Sequence, residues 1–375
     1  MNIVINAFSA RLGGGQTYLI NLLRHIPDRS DLKITVLAPE ELQMPDHPAI
    51  NRYYPSWPVT NPLTRTIWEK LFLPRYLRRA GADVLFCPGG VVAGTVPRGC
   101  KVVTMFRNMI PFDKRVLGYI PFGLQRIRNW LLYRAMLRSM SGADLTIFIS
   151  DYARGVIEKL TSIPNPVTIP HGIGKEFREV DINVARPECL AEGEYILYVS
   201  RFDVYKHHYE VVSGYAKLPA HYQKQFRLLL IGESDMPGAE RVHELIKALG
   251  LDDRVTILGA VPYKQLPAYY HHAGLVLFAS SCENCPNILL ESLGAGRPVL
   301  SSDVMPMPEF GGEAAAYFSP FSPDDIANKM ERVLSDDAYA RTLSEAAVLQ
   351  AKKYDWEKTA DSTWSNIFKL IDDAK

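Results

Sequence analysis

No stretch of this 375-residue chain stays apolar for the ~18 residues that a membrane-spanning helix needs. Its start, Met1-Asn2-Ile3-Val4-Ile5-Asn6-Ala7-Phe8, lacks both a basic leader and a long apolar run. It therefore reads as a first strand and not as a secretion signal. Cysteine is scarce. The five residues (Cys87, Cys100, Cys189, Cys282, Cys285) are odd in number and widely spread, which argues against a disulfide framework. Cys282 and Cys285 form one C-x-x-C with no second pair, too little for a zinc site, and this usage fits a reducing cytoplasm. No G-x-G-x-x-G follows any strand candidate, so a dinucleotide-binding fold is not supported. Low-complexity tracts are also missing.

What remains is an ordinary globular composition, 47% hydrophobic and 22% charged, in a chain long enough for two cores. The net charge of +1 conceals an asymmetry. Residues 1–170 hold 21 Lys and Arg against 11 Asp and Glu, and residues 171–375 hold 21 against 30. The basic excess is densest over residues 101–138, where Arg107, Lys114, Arg115, Arg126, Arg128, Arg134 and Arg138 interleave with Tyr119, Phe122, Trp130, Leu131 and Tyr133. That pattern fits a helix with a basic face and an apolar face, able to lie on an anionic membrane. A helix packed by its apolar side with solvated arginines fits as well. No nucleic-acid motif accompanies the charge, so no nucleic-acid partner is expected.

Short β-branched runs alternate with helical stretches, the pattern of parallel βαβ units. Strand candidates in the first half are Asn2–Phe8, Lys33–Ala38, Asp83–Cys87, Lys101–Phe106 and Asp144–Ile149. In the second half they are Tyr195–Ser200, Phe226–Ile231, Arg254–Leu258, Leu275–Ala279, Pro298–Ser301 and Ala315–Phe318. A Pro-rich zone from Ser162 through Pro187 reads as the linker between them. The expected domains are 1–170 and 171–355. A closing helix over 356–375, with Trp364, Ile367, Phe368 and Ile371 at helical spacing, folds back on the first.

Two glutamates stand eight positions apart in Cys282-Glu283-Asn284-Cys285-Pro286-Asn287-Ile288-Leu289-Leu290-Glu291. Glu283 follows the run Leu275–Ala279, and Glu291 lies within the helix that Pro286-Asn287 opens. In a parallel α/β layout this puts two carboxylates and a helix N-terminus around one crevice at a strand's carboxyl end, where ligands bind. The helix start suits a phosphate, and Glu291 suits the paired hydroxyls of a ribose. Both acids could equally be solvated residues near a helix start, where negative charge is favoured anyway. Arg201 ends the strand Tyr195–Ser200 and Lys206 follows five positions on, so the pair can face a departing diphosphate. Solvated strand-end cations are the alternative. Gly13-Gly14-Gly15 follows the first strand and opens a helix, either for close backbone approach to a ligand or as a tight turn.

Taken in order, the glycine loop, Arg201-x4-Lys206, Glu283-x7-Glu291 and Gly294-x-Gly296-Arg297-Pro298-Val299 resemble the family 4 retaining glycosyltransferases of the GT-B fold. Pro170-His171-Gly172-Ile173 is similar to that family's turn at the start of the second domain. The resemblance implies two Rossmann-like domains with parallel sheets facing across a cleft. It implies that Arg201 and Lys206 hold the donor diphosphate, Glu291 the ribose and Glu283 the transferred sugar. The Asn287 and Ile288 amides would face the distal phosphate, and the segment ending at Val261 would border the nucleobase. Gly14 and Gly15 would lie at the cleft beside donor phosphate and acceptor, and they and Gly172 would bind the donor. Where many members carry His-Asp after the fourth strand, this chain has Arg107-Asn108, which become candidates for acceptor or sugar along with His171. Pro286 removes one possible phosphate donor.

The implied activity moves a hexosyl or deoxyhexosyl group from a nucleoside-diphosphate sugar to a hydroxyl of a glycan or lipid-linked glycan, with retention, as in bacterial surface-polysaccharide synthesis. A sugar-nucleotide epimerase or hydrolase on the same fold, or a non-catalytic partner at a membrane surface, is the alternative. No Asp-x-Asp triplet occurs, so neither a metal nor another cofactor is expected. The expected place of work is the cytoplasm, at the inner face of the cell membrane.

Overall fold

The aliphatic runs form two all-parallel sheets. The computed structural model describes residues 1–10, 13–179, 184–187, 193–235 and 237–372. The first sheet contains β1 (Asn2–Asn6), β2 (Lys33–Leu37), β3 (Ile50–Tyr53), β4 (Val84–Cys87), β5 (Lys101–Phe106), β6 (Leu145–Phe148) and β7 (Pro166–Thr168), in the order β3-β2-β1-β4-β5-β6-β7. The second contains β8 (Glu194–Val199), β9 (Phe226–Ile231), β10 (Val255–Gly259), β11 (Leu275–Phe278), β12 (Val299–Ser302) and β13 (Ala316–Phe318), in the order β10-β9-β8-β11-β12-β13. Every residue of β4 and of β11 is buried, which is why these strands read as continuous apolar runs and not as alternating ones. Ile3 sits between Ile34 and Val84, and Val276 between Leu197 and Val299, so both sheets reverse their strand order beside a central strand. The reversals fall between β1 and β4 and between β8 and β11. Crevices outside the carboxyl ends at such reversals are where open α/β sheets bind ligands.

Two strands depart from the sequence reading, and both are at edges. Residues 51 and 52 of β3 are exposed polar side chains, so the apolar signal is lost. β7 begins at Pro166, a residue tolerated only at a strand's start or edge. The Pro-rich zone is therefore only partly a linker, because its residues 166–168 pair with β6. Residues 180–183 of that zone, and Cys189, lie outside the described residues.

The chain forms two compact units, Met1–Gly172 with Trp356–Lys375, and Ile173–Asp355. The first crossing falls two residues later than the sequence boundary, because His171 stacks on Tyr18 at 5.5 Å and lies tilted against Trp356 at 5.3 Å within the first unit. The helix Trp356–Asp372 completes that unit's core. Thr359 Oγ1 donates to the Pro170 carbonyl at 2.8 Å, and the fully buried Trp364 donates Nε1–H to the Leu22 carbonyl at 3.2 Å. The ends of the second unit are tied together, Ile173 bridging to Asp355 and Arg178 pairing with Asp355 at 2.7 Å. No helix among the described residues is long and apolar enough to cross a membrane.

Emptying the Trp364 site leaves a large cavity, so Trp364→Ala is expected to cost about 3–5 kcal/mol. Hydrogen exchange checks this. Protection should drop across Ile3–Ile5 while Leu275–Phe278 holds, and equal loss in both sheets would contradict the assignment of the terminal helix to the first unit.

Candidate active site

The reversal of the second sheet is built from the segments after β8, β9 and β11. Past β8 the chain runs close over the end of β9. A Cβ on Gly232, which has φ 156°, would meet the Ser200 carbonyl oxygen at 1.9 Å, so only glycine lets these two backbones approach. The segment that carries Arg201 and Lys206 is then pinned to the loop after β11. Ser281 N–H donates to the Tyr205 carbonyl at 2.8 Å, and His207 Nε2 lies 2.8 Å from Ser281 Oγ. Tyr198 donates its hydroxyl to the Lys206 carbonyl. His207 takes a left-handed φ of 54°, uncommon outside glycine and sustained by those contacts. The His208 ring stacks against Tyr198 at 4.6 Å and Phe202 at 4.0 Å. Burial, reinforced by the Lys206 charge, takes its pKa down to about 3, so it packs as a neutral ring.

This pinning delivers Lys206 to Glu283. Lys206 is 8% exposed, and its ammonium is ion-paired with Glu283 Oε1 and lies 5.4 Å from the centre of the Phe278 ring. Arg201 lies on the open side, its Nε 3.2 Å from Glu233 Oε2, with both side chains about half exposed. The helix Asn287–Gly294 follows, with Pro286 as its cap residue and no side-chain cap. The Asn287 N–H donates to the Cys285 carbonyl at 3.0 Å, so a phosphate reaching that amide competes with the carbonyl. Ile288 is half-buried beside it. Within the helix Glu291 is buried and accepts from the Tyr263 hydroxyl at 2.9 Å. Burial raises its pKa to about 8, opposed by the Tyr263 hydrogen bond and reinforced by Glu176. Val261, half-buried, follows the end of β10 by two residues and precedes Tyr263 by two. Cys282 and Cys285 are buried and form no disulfide. The described residues include no cluster of three His, Cys, Asp or Glu side chains able to hold a metal.

In the first unit the glycine loop turns tightly into a helix. Gly13 carries the left-handed φ of 62°, and Gly14 opens the helix Gly14–Arg24. A Cβ on Gly15 would lie 3.3 Å from the Arg107 guanidinium, so the missing side chain leaves room for that cation. Arg107 lies 5.8 Å above the Tyr18 ring, and Tyr18 stacks on His171. Gly15, Arg107, Tyr18 and His171 thus follow one another in contact, with His171 2% exposed and flanked by rings. Gly172 is buried as the last residue before the crossing. Asn108 accepts from Ile110 N–H at 3.1 Å, fixing the turn after β5. Sequence reasoning missed Glu233, Tyr263 and the buried Glu69. None carries a motif, and each is found only through the partner it meets.

Comparison with known proteins identifies the family. Residues 12–177 match Glycosyltransferase Family 4 and residues 185–350 match Glycosyl transferases group 1. The chain belongs to family 4 of the glycosyltransferases. Serotype-specific mannosyltransferase WbdA of Escherichia coli is 27% identical over 285 residues, 73% of this chain and 34% of WbdA. The chain thus spans about a third of the length of that relative. The O-antigen chain mannosyltransferase B of Escherichia coli is 26% identical over 252 residues, 64% of each chain. Sucrose-phosphate synthase from Thermosynechococcus elongatus superposes with a TM-score of 0.80 at 20% identity, covering 100% of both chains. The fold is GT-B, as the sequence resemblance implied.

The Glu291 pKa has a measurable sign. Between pH 4.5 and about 8 the folded protein keeps a proton on Glu291 that the unfolded chain releases, so stability falls as pH rises through that window. Glu291→Gln removes this slope and should gain stability over the wild type as pH rises toward 9. Thermal unfolding at acid and alkaline pH checks it. An offset between the two proteins that is the same at both ends would mean the carboxyl is not held protonated by burial.

Proposed function

We propose that the protein is a retaining glycosyltransferase that transfers a hexosyl group from a nucleoside-diphosphate sugar to a hydroxyl of a glycan acceptor. The carrying observation is the Lys206–Glu283 pair at the strand-order reversal, with Glu291 in the following helix. That the two E. coli relatives are named as mannosyltransferases supports a mannosyl donor and a surface-polysaccharide acceptor. In the free protein Glu283 answers the Lys206 charge. A bound donor supplies a better partner, its diphosphate, and Lys206 with Arg201 neutralises the charge that grows there as the glycosidic bond breaks. Glu283, freed from the ammonium, accepts hydrogen bonds from the transferred sugar, and Glu291 accepts them from the ribose.

The acceptor hydroxyl attacks the anomeric carbon from the face the phosphate leaves. One C–O bond to phosphate breaks, one C–O bond to the acceptor forms, and a phosphate oxygen takes the acceptor's proton. Configuration is retained, and neither Glu283 nor Glu291 acts as the base. Transition-state charge stabilisation by a single group is worth about 10²–10³ in rate. Lys206→Ala and Glu283→Ala are each expected to lose at least that much turnover with folding intact. Near-native transfer by either variant removes the assignment.

The surface of the first unit supports work at a membrane. Tyr119, Phe122, Leu124, Ile127, Trp130 and Leu131 are more than half exposed, as are Leu63 and Leu71 on the helix Pro62–Leu71. The basic region is narrower than residues 101–138, because 101–106 are β5 inside the sheet. Its cations do not occupy a separate face. Arg126 lies 4.1 Å over the Phe122 ring and Arg134 4.9 Å over Trp130, mixed charge and aromatic contact that suits a bilayer's headgroup level. The full chain should co-sediment with phosphatidylglycerol vesicles and not with phosphatidylcholine vesicles. Equal behaviour with both would sink the membrane reading.

A further inference from the structure

The reversal of the first sheet holds a cavity that the donor chemistry does not use. It measures about 1640 Å³ and is bordered entirely by residues of the first unit. Asn6, at the carboxyl end of β1, and Ser9 border it, as does Glu69 from the helix Pro62–Leu71. Asn6 and Glu69 are each 6% exposed, and the Asn6 amide donates to Glu69 Oε1 at 2.9 Å. Arg65 Nε stands 3.9 Å from the same oxygen. Burial pushes the Glu69 carboxyl above its ordinary pKa, against the pull of Asn6 and Arg65.

Three glycines in Pro88-Gly89-Gly90-Val91-Val92-Ala93-Gly94 fold one wall of this cavity. A Cβ on Gly89 would meet Ser9 Oγ at 2.2 Å, and one on Gly94 would meet the Glu69 carbonyl oxygen at 2.2 Å. Gly90 takes the left-handed φ of 82°, and Val92 N–H donates to Ser139 Oγ at 2.9 Å. The loop is thereby held against β1's end, Glu69 and the helix Leu124–Ser141. That helix and Pro62–Leu71 supply the charge. Arg65, Lys70, Arg128, Arg134 and Arg138 border the cavity, and Glu69 is the one acid among its described lining residues.

We propose that this cavity binds a saccharide carrying an anionic group, Asn6 and Glu69 gripping its hydroxyls and the arginines of the Leu124–Ser141 helix taking its charge. A buried carboxyl and carboxamide that already share a hydrogen bond are suited to bridging vicinal hydroxyls. Five cations facing one acid leave a surplus positive charge that a neutral sugar does not answer. The inference deepens the reading above, on which this saccharide is the acceptor. A phosphate on the glycan and the diphosphate of a lipid carrier present the same chemistry.

The test uses the full chain saturated with a nucleoside diphosphate, so that the second unit's site is filled. Three probes are compared by saturation-transfer NMR: methyl α-mannoside, its 6-phosphate, and undecyl-diphospho-mannose. Both phosphorylated probes, or one of them, should bind at least about tenfold tighter than the neutral glycoside, as a charge-assisted contact predicts. Whichever is tighter identifies the source of the anion. Arg134→Ala with Arg138→Ala should erase the preference. Glu69→Gln and Asn6→Ala should weaken the saccharides themselves about tenfold, with the nucleotide-induced thermal shift unchanged as evidence of folding. Equal binding of neutral and phosphorylated probes, or wild-type saccharide binding by Glu69→Gln, overturns the proposal. Failure of the wild type to bind any nucleotide would instead overturn the transferase reading and leave this one standing on its own result.

Discussion

A buried ammonium must be answered by a nearby negative charge or give up its proton, and the second unit is arranged around that demand. Lys206 is 8% exposed and finds its answer in Glu283, a residue from a different loop. The pair fastens the segment after β8 to the segment after β11 across the reversal in strand order. Other contacts share the load. Ser281 holds the backbone of Tyr205 and the ring of His207, and Tyr198 holds the Lys206 carbonyl. On the proposed reading, a ligand that brings its own negative charge replaces Glu283 as the partner, and the structural ion pair becomes a binding determinant.

The two units solve the same topological problem with different chemistry. Each sheet reverses beside a central strand, and each has a glycine nearby where a Cβ would collide: Gly232 with the Ser200 carbonyl in one, Gly89 with the Ser9 hydroxyl in the other. The second unit places acids and cations there in partnered sets. The first leaves a wide cavity with a cationic majority and one buried acid. The charge asymmetry visible in the sequence, positive in the first half and negative in the second, therefore has a local counterpart in this cavity's lining.

Much of the framework was legible from residues alone. Runs such as Leu275–Phe278 and Val84–Cys87 are buried throughout, and burial of that kind writes itself as an unbroken apolar string. The edge strands β3 and β7 were not legible, because Asn51 and Arg52 face solvent and Pro166 signals a turn. Of the candidate site, Glu283, Glu291, Arg201 and Lys206 stood out by position around strand ends only together with the resemblance to family 4, since each pair alone reads equally as solvated residues. Glu69 did not, since a lone acid on a helix looks solvated until Asn6, sixty-three positions earlier, is seen against it. The basic region misled in one respect. Periodicity suggested separate faces, whereas cation–π contacts put Arg126 and Arg134 on the same surface as Phe122 and Trp130.

The helix Trp356–Asp372 belongs to the unit that Met1 begins, and Ile173 and Asp355 are bridged where the intervening unit starts and stops. In topological terms the second unit is a guest inserted into its host, its two ends at adjacent points. During synthesis the guest has all its own residues before the host has its last helix. Tyr18 and Leu22 must then wait, with the hydroxyl and carbonyl that Thr363 and Trp364 will engage still wet, until the ribosome has added the helix Trp356–Asp372.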